Sequence, residues 1–148
     1  MKIRKVKRGD LKKIGKLMKT EFNKPPYNDG WTDKAVMITV KNYFKIGYGF
    51  VAVEEKEIVG FIMVRNEPYS QGVYVIVEEL IVKRDFQRKG IGEELIKIVE
   101  KKSKKKKAYT IYLYSHKKSH AFKFYKKLGY KESEYMVTME KKLWHKKS

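Results

Sequence analysis

Apolar residues recur along this chain with two different spacings, which together predict a mixed α/β fold. Runs that are apolar at every second position and rich in Val, Ile and Tyr are typical of strands, whereas spacings of three and four residues are typical of amphipathic helices. Strands are predicted at residues 2–7, 50–54, 58–65, 73–82, 109–114 and 134–139. Helices are predicted after Asp10, after Thr32 or Asp33, from Ile91 to about residue 101, and at residues 119–128.

The predicted element order is β-α-α-β-β-β-α-β-α-β. The chain of 148 residues contains no internal repeat and no linker long enough to divide it. A length in this range is typical of one domain with one core. We therefore predict a single domain, residues 1–148, in which residues 141–148 form a C-terminal tail.

The turn between the fourth predicted strand and the third predicted helix has the chemistry of an anion site. It reads Gln-Arg-Lys-Gly-Ile-Gly from Gln87 to Gly92. The first amides of a helix have no partner within the helix, and the helix dipole adds partial positive charge there. Glycines let a phosphate approach those amides closely. Gln87, Arg88 and Lys89 add side-chain donors to this predicted site.

Two familiar phosphate-binding loops do not fit this turn. Glu93 follows Gly92, where a P-loop needs Lys and then Ser or Thr. Leu95 stands where the dinucleotide fingerprint needs a third Gly or Ala. The motif that remains is Gln-x-x-Gly-x-Gly, and its alternative interpretation is a strand-to-helix turn that holds no ligand.

A second motif follows the fifth predicted strand. Residues 121–130 read Ala-Phe-Lys-Phe-Tyr-Lys-Lys-Leu-Gly-Tyr, which matches Ala-x-x-Phe-Tyr-x-x-x-Gly-Phe/Tyr. With both motifs in order, the chain from about residue 51 to 143 resembles the GCN5-related N-acetyltransferases (GNAT). The resemblance implies a mixed, mostly antiparallel sheet flanked by helices, acetyl-CoA as co-substrate, and transfer of its acetyl group to a primary amine.

The resemblance also implies where the cofactor lies. In this family the pantetheine arm follows the strand before the phosphate turn, where the sheet opens towards the next strand, and a backbone N–H near Leu80 or Ile81 holds the thioester oxygen. Many members carry Asn three residues before the Ala of the second motif, and here that position is Lys118. The implied cofactor-binding residues are Leu80, Ile81, Val82, Gln87, Arg88, Lys89, Gly90, Ile91, Gly92, Glu93, Lys118, Ala121 and Tyr125.

The implied catalytic residues are one tyrosine and a pair of glutamates. Tyr125 matches the general acid of the family, since a phenol with a pKa near 10 can protonate the leaving thiolate. Glu78 and Glu79 are similar in position to two consecutive acids of the spermidine/spermine acetyltransferases. Strand alternation predicts that these two side chains point to opposite faces. One of them is expected to deprotonate the amine through a water or to bind a cationic amine, and Glu79 is favoured.

The acceptor is less well defined by the sequence. The ribosomal-protein alanine acetyltransferases carry a glutamate where this chain has Leu113, which speaks against their peptide substrate. Six acids and two bases lie within residues 51–80, and they either receive a cationic acceptor or merely solvate hairpin edges. We predict a small amine, aminoglycoside-like or a polyamine. The alternatives are a protein N-terminal or lysine acetyltransferase, and a non-catalytic module that senses acyl-CoA or binds nucleic acid.

The composition also indicates which other kinds of partner the protein is expected to bind. The net charge is +19, and only five of the 36 basic residues are arginines, so a lysine-rich solvated surface is favoured over a specific nucleic-acid site. The lysine run at residues 101–107 fits a solvated helix end. No cysteine and three histidines are present, and we expect no metal site. The absence of a long apolar run or a secretory signal predicts a cytoplasmic protein with no membrane contact. We expect a monomer or a homodimer.

Overall fold

A five-stranded sheet forms the centre of the first of two units in this protein. The computed structural model describes residues 1–144. One unit spans Met1–Tyr114, and a second unit begins at Ser115. The strands of the sheet lie in the order β1-β2-β3-β4-β5.

The first four strands pair antiparallel with their neighbours in sequence, and β5 pairs parallel with β4. This mixed, mostly antiparallel sheet with flanking helices confirms the predicted fold class. The strands are β1 (Lys2–Lys5), β2 (Tyr48–Glu54), β3 (Glu57–Tyr69), β4 (Gly72–Val82) and β5 (Thr110–Leu113). The helices are α1 (Leu11–Phe22), α2 (Asp33–Ile46), α3 (Ile91–Lys105) and α4 (His120–Lys127), of which α4 lies in the second unit.

Alternation along the strands divides the core of the first unit into two layers. Ile14 of α1 and Val40 of α2 are fully buried in one apolar cluster with Val51 of β2. The neighbouring residue, Phe50, points the other way, and the ammonium of Lys102 in α3 lies 5.3 Å from its ring centroid. The sheet therefore has α1 and α2 on one face and α3 on the other, as period-2 strands require.

Several element boundaries differ from those predicted. The predicted loop at residues 67–72 is mostly strand, since β3 continues through Pro68 to Tyr69. Helix α3 continues past residue 101 to Lys105, because lysines in the last turn complement the helix dipole. Thr32 rather than Asp33 is the N-cap of α2, and its hydroxyl accepts the Ala35 N–H at 3.1 Å.

The predicted last strand, residues 134–139, is wrong. From residue 131 to 144 the described chain contains no strand, and its side chains are exposed, with Tyr135 at 91% and Met139 at 88%. A strand forms only where a neighbouring backbone completes its hydrogen bonds, and alternation of apolar residues cannot supply that neighbour. The predicted tail, residues 141–148, extends beyond the described residues at 145–148.

Within residues 1–144, no helix is both long enough and apolar enough to cross a lipid bilayer.

Candidate functional site

The turn from β4 into α3 has a backbone that only certain residues tolerate. Arg88 and Gly90 both have positive φ, at 62° and 85°. Gly90 is the N-cap of α3, and the helix begins with the hydrogen bond from the Glu94 N–H to the Gly90 carbonyl at 3.0 Å. The amides of the first helical turn, from Ile91 onward, therefore start without intrahelical partners.

Space is left in front of this turn. A Cβ built on Gly90 would meet no other atom within 4 Å. The Lys89 ammonium lies 5.2 Å from the ring centroid of Phe86, so its positive charge stays beside the turn. Free amides, an open approach and nearby cations together fit a bound polyanion such as the pyrophosphate of a nucleotide cofactor.

Gln87 has a structural role that the sequence did not predict. Its side-chain amide donates a hydrogen bond to the Val82 carbonyl at 2.8 Å. This contact ties the turn back to the end of β4 and takes up one outward-facing carbonyl of that strand.

The second half of β4 has an open edge. β4 pairs with β5 only from Tyr74 to Val77, whereas its pairing with β3 continues to Val82. The Lys83 N–H donates towards β3, to the Val59 carbonyl at 2.8 Å. Backbone groups alternate in direction along a strand, so those of Leu80 and Val82 face the open side. The Val82 carbonyl is bound by Gln87, so the groups that point into the opening are the N–H and carbonyl of Leu80 and the N–H of Val82.

A β-bulge in β4 places Glu78 and Glu79 on the same face, so the prediction of opposite faces is wrong. Met63 of β3 pairs with Glu79, but the next residue, Val64, pairs with Val77, which leaves Glu78 as the extra residue. Arg65 lies on the same face as Met63, and its side chain binds Glu78. Bulges break strict alternation and re-aim side chains in this way.

The two carboxylates have different environments. Glu78 forms an ion pair with Arg65, which also binds Glu67, so the Glu78 charge is compensated. Glu79 is half-buried, and its Oε2 accepts a hydrogen bond from the Tyr43 hydroxyl of α2 at 3.1 Å.

Burial raises the pKa of Glu79 to about 7. The negative charges of Glu78 and Asp29 raise the pKa further, and the hydrogen bond from Tyr43 opposes that rise. A carboxylate with a pKa near neutrality is suited to general base catalysis, because it exchanges protons readily at physiological pH.

The second unit contains the other motif on α4. The Ser119 hydroxyl caps this helix by accepting the Phe122 N–H at 3.3 Å. Tyr125 is only 8% exposed, and its ring lies 5.5 Å from that of Tyr130 in an edge-to-face contact. Gly129, with φ of 91°, turns the chain so that the Tyr130 N–H reaches the Tyr125 carbonyl at 3.0 Å. The Gly-Tyr pair at the end of the motif therefore terminates helix α4.

The remaining predicted residues of this unit lie at the start of α4. Lys118 is exposed, and its backbone N–H donates to His116 Nδ1 at 3.2 Å. Ala121 is half-buried in the first turn of the helix. Among residues 1–144, no group of three or more His, Asp or Glu side chains converges as metal ligands would.

Sequence reasoning missed Tyr43, Asp29 and Arg65 as partners of the glutamates. In the sequence, Tyr43 is one more apolar position of the α2 stripe. Glu79 lies 36 residues further along the chain, and only the fold brings the two side chains together. Asp29 is held near Glu79 by the loop before α2, where Asn23 exchanges two hydrogen bonds with the Trp31 backbone at 2.6 and 3.0 Å. No local pattern marks these contacts.

Comparison with family models gives one match to this chain. The acetyltransferase (GNAT) domain model matches residues 31–145, which include the β4–α3 turn and the second motif. The chain belongs to this family. Its membership confirms the resemblance stated from the two motifs. A comparison with curated proteins gives no match.

Solved structures with the same fold support the GNAT architecture. A possible acetyltransferase from Clostridium difficile 630 shares 21% identity over 97% of this chain and 98% of its own, with a TM-score of 0.83. The aminoglycoside N-acetyltransferase AAC(6')-Iy, in complex with the bisubstrate analogue CoA-S-monomethyl-acetylneamine, shares 19% identity over 95% of this chain and 97% of its own, with a TM-score of 0.75. A ribosomal-protein-alanine N-acetyltransferase from Brucella melitensis biovar Abortus 2308 shares 13% identity over 95% of this chain and 97% of its own, with a TM-score of 0.76.

Proposed function

We propose that this GNAT protein transfers the acetyl group of acetyl-CoA to the primary amine of a small cationic molecule. The observation that carries the proposal is the β4 edge, where an open backbone at Leu80 adjoins a half-buried carboxylate, Glu79, whose pKa lies near 7. An acyl-transfer site needs a donor for the developing oxyanion and a base for the attacking amine. This short segment supplies both.

Coenzyme A is proposed to bind along β4 and at the turn. The open edge from Leu80 to Val82 receives the pantetheine arm as an added strand, and the first amides of α3 hold the pyrophosphate. Arg88 and Lys89 add positive charge there, and Lys118 and Ala121 are proposed as cofactor contacts on the ground of the second motif alone. The bisubstrate analogue bound by AAC(6')-Iy supports coenzyme A as the cofactor of this fold. The family match spans residues of both units, which supports one acetyltransferase domain.

Each proposed residue has one task in a direct attack. Glu79 accepts a proton from the acceptor ammonium, so that the neutral amine can attack the thioester carbonyl. The Leu80 N–H stabilises the oxygen that becomes negative in the tetrahedral intermediate. When the carbon–sulfur bond breaks, the Tyr125 hydroxyl donates its proton to the leaving thiolate.

A small cationic acceptor is favoured by the charges on one face of β4. Glu78, Glu79 and Asp29 lie close enough for their charges to interact, and Arg65 compensates only part of that charge. A negative site attracts a cation within a protein that is otherwise strongly basic. The aminoglycoside neighbour is consistent with such an acceptor, and the Brucella neighbour keeps a protein N-terminus as the second candidate.

An amine panel tests the activity. Free thiol release from acetyl-CoA is measured with aminoglycosides, linear polyamines, a lysine peptide and an alanine-terminated peptide, against a control without acceptor. We expect turnover above that control with a polyamine or an aminoglycoside. Tight acetyl-CoA binding without turnover of any amine would favour a non-catalytic acyl-CoA-sensing module.

Gly90→Ala is expected to weaken acetyl-CoA binding at least tenfold, which corresponds to about 1.4 kcal/mol. The added methyl group enters the open space in front of the turn, where the pyrophosphate is proposed to lie. Affinity is measured by isothermal titration calorimetry.

Gly30→Ala is the matched control, because Gly30 also has positive φ, at 74°, and also has no atom within 4 Å of a built Cβ. Both variants carry the same kind of backbone strain, of roughly 1–2 kcal/mol. Only the Gly90 variant should lose acetyl-CoA affinity. If both variants lose acetyl-CoA affinity equally, or if neither variant loses any, the pyrophosphate binds elsewhere.

A further inference from the structure

We propose that Tyr43 is a positioning residue for the reaction: it orients Glu79 and sets how strongly that carboxylate binds a proton. The inference rests on the proposed function, in which Glu79 is the general base. Tyr43 lies on α2 and Glu79 on β4, so the contact joins the helix layer to the strand that carries the open edge.

The geometry gives Tyr43 the role of donor. Burial and the nearby negative charges of Glu79 and Glu78 raise the pKa of Tyr43, so its hydroxyl keeps its proton and donates it to Glu79 Oε2. Within the described chain, Oε1 of Glu79 takes no hydrogen bond. Tyr43 therefore holds one carboxylate oxygen and leaves the other for the acceptor.

The surrounding charges explain why such a donor is needed. Glu78 from the same strand and Asp29 from the loop before α2 both disfavour ionisation of Glu79. Arg65 of β3 is the cation paired with Glu78, and it also binds Glu67. The Tyr43 hydrogen bond is thus the contact that favours the charged, proton-accepting form of Glu79.

The effect of Tyr43→Phe has a definite sign. Removal of a hydrogen bond to the charged form raises the pKa of the carboxylate, so Glu79 stays protonated to higher pH and cannot act as a base there. We expect the acid limb of kcat/KM to move upward by about one pH unit, a typical scale for the loss of one such contact. On the plateau above the limb, the rate should stay within about threefold of wild type, because the base itself is still present.

Tyr48→Phe is the matched control, because Tyr48 is also a partly buried tyrosine but lies on the α3 face, where the Lys106 ammonium is 5.2 Å from its ring. Its pH profile should match wild type. Tyr43→Phe is also introduced into the Glu79→Gln background. If Tyr43 acts through Glu79, the second change should add nothing there, as expected for two residues that act as one unit. Melting temperatures report any change in folding.

The outcomes separate this inference from the proposed function. A shifted acid limb in Tyr43→Phe alone, absent from the double variant, supports the positioning role. If Glu79→Gln abolishes activity but Tyr43→Phe leaves the limb in place, or lowers the rate equally at every pH, the positioning role is overturned and Glu79 remains the base. If Glu79→Gln keeps the wild-type rate and profile, the base assignment and the positioning role are both wrong.

Discussion

Glu79→Gln is expected to lower the rate of acetyl transfer by about 10²–10⁴-fold, the usual contribution of a general base. Glutamine keeps the size of the side chain and can still accept the Tyr43 hydrogen bond, but it cannot take a proton from the acceptor. The measurement is single-turnover transfer from acetyl-CoA to the best amine of the panel, which excludes any limit set by product release.

The pH dependence adds an independent readout for Glu79. The base must be ionised, so kcat/KM of the wild-type protein should fall about tenfold per pH unit below the Glu79 pKa of about 7. Glu79→Gln should remove this limb as well as lower the rate.

Glu78→Gln is the matched control for Glu79, since both side chains lie on one face of the bulge. Glu78 already has Arg65 as its counter-ion, so it is less suited to exchange protons. We expect its variant to keep an acid limb, shifted to lower pH because one of the charges that raise the Glu79 pKa is removed, and to lose less than about tenfold in the single-turnover rate. A larger loss in Glu78→Gln than in Glu79→Gln would reverse the roles of the two residues.

Tyr125→Phe is expected to slow acetyl transfer by about 10²–10⁴-fold, with little change in acetyl-CoA affinity. Only the hydroxyl is removed, so the ring contacts within the second unit are kept. The loss should appear in single turnover, even if product release limits the steady-state rate of the wild type. An acetyl donor with a less basic leaving thiol should restore the variant preferentially, because the missing proton is needed on the sulfur.

Tyr130→Phe is the control for Tyr125. It removes a hydroxyl from the ring that packs against Tyr125, at a motif position where Phe and Tyr are interchangeable in the family pattern. This variant should keep the wild-type rate. A Tyr125→Phe protein with wild-type single-turnover rates at every pH would show that Tyr125 only packs, and that another group protonates the thiolate.

The sequence predicts the parts of this protein whose signals are local. The β4–α3 turn is an example: Gly90 is needed where φ is positive, and the apolar spacing after Ile91 requires a helix. The order of the elements from β1 to α4 follows from such signals, one segment at a time. The fold class and the family were therefore predicted from short stretches of sequence.

The errors come from contacts between distant segments. The segment at residues 134–139 alternates like a strand, but no pattern within it says whether a neighbouring strand will pair with it. The bulge at Glu78 depends on the register between β3 and β4, which cannot be read from β4 alone. The same holds for the hydrogen bond from Tyr43 to Glu79, which two elements form only after they pack.

The open edge of β4 also fixes a distance along the bound cofactor. Its unpaired length is bounded by two fixed points: the last residue that pairs with β5, Val77, and the Val82 carbonyl that Gln87 occupies. Leu80 lies about 7 Å before Val82 at the usual rise per residue of a strand. For an acyl donor bound as proposed, the spacing between its phosphates and its reacting carbonyl is thus measured by backbone geometry, which side-chain substitutions along the edge would leave unchanged.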